Sequence, residues 1–83
     1  MSNEQSMKEL VEFLARALVD DIGRVEVSEI SGSQTTIIEL KVAKEDIGKV
    51  IGRQGKTAEA IRTILSCAAA KHNKRYNFQI IDE

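Results

Sequence analysis

The chain has 83 residues, 42% of them hydrophobic and 30% charged, with a formal net charge of −1. That length accommodates one small domain and excludes a second core, and no apolar run approaches the roughly 18 residues that a membrane-crossing helix requires. One cysteine, Cys67, and one histidine, His72, exclude an internal disulfide and a Cys/His metal set.

Residues 1–5 are polar and read as a flexible N-terminus, with residues 6–83 forming the single domain. The opening MSNEQSMKEL lacks a basic segment followed by an apolar stretch, so a cytoplasmic location is expected. Ser6-Met7-Lys8-Glu9 is a capping box, in which the serine hydroxyl accepts from a first-turn amide and the glutamate reaches back to the cap amide. The helix it starts carries Met7, Leu10, Val11, Leu14 and Leu18 at 3/4 spacing, with Gly23 as its stop. Phe13 and Ala17 flank this stripe and widen its face, which could serve a partner; the expectation is half-burial at the edge of the core.

Val25 and Val27 alternate with Glu26 and Ser28, and after Ser31-Gly32-Ser33-Gln34 the segment TTIIELKV places Ile38, Leu40 and Val42 on one face. This is a β-hairpin pattern. Glu45 and Asp46 suit the positive end of a short helix that carries Ile47, Val50 and Ile51 up to Gly52. A second helix begins near Lys56 or Thr57 and runs through Ile61, Ile64, Leu65 and Ala68 to about His72, with Cys67 expected as a small buried residue on it. Asn73, Lys74 and Arg75 form a basic loop, and YNFQII ends the chain as a strand with Phe78 and Ile80 on one face. The last strand follows the second through a two-helix crossover, which requires those two to run parallel. The expected fold class is α+β, a three-stranded mixed sheet with helices packed on one face.

Residues 50–57, VIGRQGKT, pose the functional question. A nucleotide-binding P-loop needs G-x-x-x-x-G-K-[ST] after a strand, but Val50 stands where its first glycine belongs and the preceding segment reads as helix. A tight link Gly52-Arg53-Gln54-Gly55 between two helices admits two readings. It is a plain helix–helix turn, or its glycines let a sugar-phosphate chain approach the main chain while the first amides of the next helix meet phosphate oxygens. Arg53, Lys56 and Lys49 would add mobile charge. The charge distribution bears on the choice: residues 1–46 hold five Lys/Arg against ten Asp/Glu, and residues 47–83 hold seven against three. The two halves are polarised, with all seven cations of the second lying from Lys49 to Arg75.

The stretch Ile47 to Leu65, IGKVIGRQGKTAEAIRTIL, resembles the K-homology (KH) domain signature, in which V-I-G-x-x-G joins two helices and an isoleucine recurs on the second. The element order is similar to the type II, bacterial arrangement, αββααβ, and the resemblance covers nearly the whole chain. It implies a groove for about four nucleotides of single-stranded RNA, clamped by Gly52, Arg53, Gln54 and Gly55 and floored by aliphatic side chains. Ile47, Val50, Ile51, Ala58 and Ile61 match the floor positions. Many KH domains carry a branched aliphatic where this chain has Ala58, which implies a shallower groove. The opposite wall would come from the strand around Thr36 to Leu40 and from Lys74 and Arg75. One Tyr and two Phe are too few for a stacking platform of the RRM kind.

The same resemblance implies self-association, pairing with a larger KH-containing protein (KhpB, also called Jag or EloR), and an RNA-chaperone or post-transcriptional role touching cell elongation and envelope homeostasis. No catalytic, cofactor or metal role is expected, because nucleophile, base and orienting acid cannot be assembled from these residues. A KH fold also serves as a protein-interaction subunit, for instance on the ribosome, and the residues alone leave that alternative open.

Overall fold

The computed structural model describes residues 7–82. Helix α1 spans Met7–Leu18, strand β1 Glu26–Ser31, strand β2 Thr35–Lys41, helix α2 Ile47–Ile51, helix α3 Lys56–Lys71 and strand β3 Arg75–Ile81. Short 3-10 turns at Ile22–Arg24, Lys44–Asp46 and Arg53–Gly55 lead into β1, α2 and α3. The fold is α+β in the type II KH order, and the residues 1–6 that bear the expected flexible end and Ser6 cap lie outside the described residues.

The sheet has the order β1-β2-β3. β1 runs antiparallel to β2, with Val27 opposite Leu40, and β2 runs parallel to β3, with Ile38 opposite Phe78 and Leu40 opposite Ile80. The parallel pair follows from the route of the chain, which leaves β2, builds α2 and α3, and comes back on the same side. Side chains two apart share a face of a strand, so Thr36, Ile38 and Leu40 of the central strand all turn toward the helices and are buried. α3 lies against β3 and α1 against β1. Val11, Ala15 and Val19, at i, i+4 and i+8, supply the layer from the α1 side, and Ile61 and Leu65 supply it from α3, around Val27, Val50 and Phe78.

Three expectations need correction. α1 stops at Leu18, five residues before Gly23; Val19 still donates to the Ala15 carbonyl, and beyond it the Asp21 amide turns away to donate to the Asp46 carboxylate at 3.0 Å. Phe13 is 70% exposed rather than half-buried, and Ala17 is exposed too. Position 13 lies two residues from both Val11 and Ala15, about 200° around the helix from each. The same phase argument puts Cys67 outside: it sits two residues from Leu65 and from Ala69, both buried, and is itself exposed.

Candidate nucleic-acid interface

α2 ends where the backbone reverses at Gly52, whose φ of 79° and ψ of 170° no residue with a side chain adopts readily. Its amide donates to the Gly48 carbonyl at 2.9 Å and closes the last turn. Space is as restrictive as conformation, since a Cβ on Gly52 would lie 2.7 Å from the Thr57 amide nitrogen. Gly55 also has positive φ, 76°, but a Cβ there would meet nothing within 4 Å. Between them Gln54 is held at φ 58°, a left-handed conformation that is uncommon for a residue with a side chain. The link is therefore three positive-φ residues in four positions, a sharp corner rather than a relaxed turn.

This corner decides where the amides point. Gly55 N–H donates to the Gly52 carbonyl at 3.1 Å, and Lys56 N–H donates to the Arg53 carbonyl. The first amides of α3 are the phosphate donors expected from the sequence, and that of Lys56 is taken. Among the described residues, the amides of Arg53 and Gln54 meet no acceptor within the fold. Two successive free N–H groups ahead of a left-handed residue form a concave nest suited to an anion. Arg53, Gln54 and Lys56 have exposed side chains, and neither cation forms an ion pair among the described residues.

Lys49 is different from the mobile charge expected of it. Its ammonium donates to Asp46 at 3.2 Å and sits 3.3 Å from Asp20. Asp46 is buried just before α2 and accepts both from Lys49 and from the Asp21 amide. Those contacts hold its carboxyl below the ordinary carboxylate range, the Asp21 amide first, against the opposing effect of desolvation. The Lys49 ammonium is raised, above all by its bond to Asp46. This cluster ties the end of α1 to the start of α2 and so fixes the helix that presents the glycine corner. The i, i+3 pairing of Asp46 and Lys49 is visible in the sequence. The Asp21 amide, 25 positions away, is not.

The floor residues separate into two sets. Ala58 and Ile61 are 3% and 4% exposed, and Val50 is fully buried, so they support the surface from beneath. Ile47 is half-buried, and Ile51 is 37% exposed beside Gly52, the one aliphatic of the expected set with a sizeable open surface. Of the wall expected from Thr36 to Leu40, Thr36, Ile38 and Leu40 are buried beneath the helices, while Ile37 and Glu39 are half-buried on the opposite face of the sheet. Lys74 and Arg75 are exposed, but α3 separates them from the corner: 16 residues at 1.5 Å each place them about 24 Å away. Arg62, which neither the motif nor the periodicity singles out, stacks its guanidinium on the Phe78 ring, with Cζ 5.7 Å from the centroid.

Among the described residues there is no group of His, Cys, Asp and Glu able to hold a metal ion, and no helix is long and apolar enough to cross a membrane. What the corner offers is recognition of an anion by main-chain N–H groups flanked by mobile cations and one open aliphatic.

Comparison with known proteins agrees with this geometry. The KhpA/KhpB KH-domain family model matches residues 8–80. A protein named RNA-binding protein KhpA from Clostridium acetobutylicum is 56% identical over 75 residues, 90% of this chain and 100% of the relative. The KhpA of Caldanaerobacter subterraneus subsp. tengcongensis is 59% identical over the same shares, and that of Aquifex aeolicus is 44% identical over 77 residues, 93% of this chain and 98% of the relative. No solved structure matches the chain. A KH-type element order, a glycine corner built as that fold requires, and identity across nearly the full length lead to one assignment: the chain belongs to the KhpA/KhpB family of KH domains.

Proposed function

We propose that the chain binds single-stranded RNA by seating a backbone phosphate on the Arg53 and Gln54 amides. The pair of open N–H groups at the glycine corner carries this reading, and the RNA-binding names of its relatives support it. Arg53 and Lys56 add charge at the same phosphate, Gly52 and Gly55 keep the backbone bare, and Ile51 offers an apolar edge to a base. Lys49 contributes by holding α2 in place through Asp46 and Asp20, while Ala58 and Ile61 shape the surface from below. One corner gripping about four nucleotides binds weakly, so a second site held nearby is needed for useful affinity. Self-association and pairing with a larger KH protein of the KhpB (Jag/EloR) kind would supply one. An RNA-chaperone or post-transcriptional role in the cytoplasm, reaching cell elongation and envelope homeostasis, fits that arrangement, with no catalytic step and no cofactor.

Replacing Arg53 and Gln54 together by Asp tests the reading. Both side chains are exposed, so the fold should survive, checked by circular dichroism and thermal melting. RNA affinity in fluorescence anisotropy should fall by about tenfold or more through charge reversal at the phosphate. Unchanged RNA retention by a folded double variant would defeat the proposal and favour a protein-contacting corner.

A further inference from the structure

A separate hollow of about 280 Å³ lies at the end of the sheet where β1 begins and β2 and β3 finish. Glu26, Lys41 and Ile81 stand opposite one another across the three strands and line one side of it, with Arg24 and Lys44 beyond them. Residues 1–46 carry five Lys/Arg against ten Asp/Glu, yet three of those five cations line this one hollow, with Glu26 as its single acid. Two turns hold the outer cations in place. Arg24 closes the 3-10 turn Ile22–Arg24, its amide donating to the Asp21 carbonyl at 3.1 Å, and Lys44 opens the turn Lys44–Asp46, where the Asp46 amide donates to the Ala43 carbonyl at 2.8 Å. The bond from the Asp21 amide to the Asp46 carboxylate ties one turn to the other. Lys44 is exposed and forms no ion pair among the described residues. Arg24 has the Asp21 carboxylate 3.9 Å away, longer than a hydrogen bond and open to water, so an oxyanion that comes closer displaces it readily.

We propose that this hollow binds a small organic phosphate monoester, with its phosphate on the Arg24 and Lys44 side chains and its body against Val42, Ile47 and Ile81. Size sets the first limit: ligand pockets start at about 300 Å³, so the occupant is no larger than a mononucleotide. Charge sets the second. Three cations against one acid suit a phosphate monoester, which carries about −1.5 to −2 at neutral pH, whereas a carboxylate or a backbone phosphodiester brings a single charge. The Arg24 guanidinium can meet two phosphate oxygens at once, and Lys44 adds a mobile point charge. Val42 is buried and Ile47 and Ile81 are half-buried, an apolar lining that an organic body covers and a bare ion leaves in water. Of these residues only Ile47 is among those expected to face RNA, and neither phosphate ligand belongs to the Gly52–Lys56 corner. The site therefore stands whether or not a strand is bound there.

Heteronuclear NMR spectra of the isotope-labelled full chain, titrated at neutral pH with AMP, adenosine and inorganic phosphate, test the site. AMP should move the amides of Arg24, Val42, Lys44 and Ile47 saturably. Adenosine should bind about tenfold more weakly for want of the phosphate, and inorganic phosphate about threefold more weakly for want of the body. Arg24→Gln/Lys44→Gln removes two exposed side chains, and the same spectra verify its fold. This variant should weaken AMP by about tenfold, while Glu26→Gln should tighten it about twofold by removing the opposing charge. Inorganic phosphate bound as tightly as AMP at these amides would overturn the organic ester in favour of the free ion. Adenosine bound as tightly as AMP, shifts confined to Arg53 and Gln54, or a double variant that binds AMP as the unaltered chain does would each overturn the site. So would the lack of any saturable shift up to about 10 mM AMP, an affinity too weak for a built pocket.

Discussion

The two ends of α3 both gather cations, yet they are built on different principles. At the N-terminal end it is the backbone that lies open: with positive φ at Gly52, Gln54 and Gly55, two amides are left without acceptors, beside the exposed side chains of Arg53 and Lys56. At the C-terminal end every amide from His72 to Arg75 is consumed within the fold, and only side chains are left to act. A site made of main chain is fixed in position and intolerant of substitution. A site made of lysine and arginine is adaptable, and its strength is set by charge and salt. The difference teaches that counting cations along this chain overstates the similarity of its two ends, and that each should fail in its own way when disturbed.

The largest effect should come from Gly52. Alanine there would force a Cβ to within 2.7 Å of the Thr57 amide nitrogen at a φ of 79°, so the corner must open or the helices must separate. We expect Gly52→Ala to cost about 3 kcal/mol, the upper range for an imposed backbone conformation, and to abolish RNA binding in the fraction that still folds. Gly55 has the same sign of φ but open space around it. Gly55→Ala should therefore cost only about 1 kcal/mol, and Gly55→Asn less, since Asn tolerates the left-handed region. Urea denaturation of the three variants measures the contrast. Equal losses at positions 52 and 55 would show that conformation alone, without the Thr57 contact, sets the demand for glycine.

How much of this was legible in the sequence follows the range of the interactions. Periodicity placed all six main elements, because each depends on neighbours three, four or two positions apart. The parallel β2–β3 pair followed from chain geometry, and G-x-x-G located the corner. Burial was harder: Cys67 and Phe13 came out exposed once the helical phase was fixed by Leu65, Ala69, Val11 and Ala15 rather than by hydrophobicity. The partners of Lys49 were not legible: a cation next to a candidate anion site looks unengaged until they are known, and one of them, Asp20, lies 29 positions away. The open amides at Arg53 and Gln54 could not be read from residue types at all. They depend on which N–H groups the corner turns back on itself, a matter of dihedral angles.

Acid should break the N-terminal end first. Asp46 has a folded pKa below its ordinary value, so its stabilising contribution is complete above the unfolded pKa near 4 and is lost as pH falls through the folded value. The raised Lys49 is the mirror case: its contribution is complete below its ordinary value and disappears only as strongly alkaline pH passes the folded one. Between those limits the cluster is intact. Asp46→Asn should lower stability at pH 7 and flatten the decline in stability on the acid side of about pH 4, where the unaltered chain loses the ion pair. Urea midpoints at pH 7 and pH 3 test this. If the variant and the unaltered chain decline in parallel, other carboxylates govern the acid limb and Asp46 is an ordinary buried polar residue.

Glu59 gives the smallest and most discriminating effect. It is the only acid of α3, and it lies four positions past Gly55, in the first turn of the helix. Its charge favours the helix dipole and opposes an approaching phosphate, so the two consequences of removing it have opposite signs. Glu59→Gln should cost about 0.5 kcal/mol in stability while tightening RNA binding about twofold at low ionic strength. The gain should shrink as salt is added, because an exposed charge beside the bound strand acts through a screened field. A gain confined to RNA longer than a tetranucleotide would place the strand over the middle of α3. An equal gain for a tetranucleotide would mean that Glu59 acts on the corner alone, and that this acid marks the edge of the clamp.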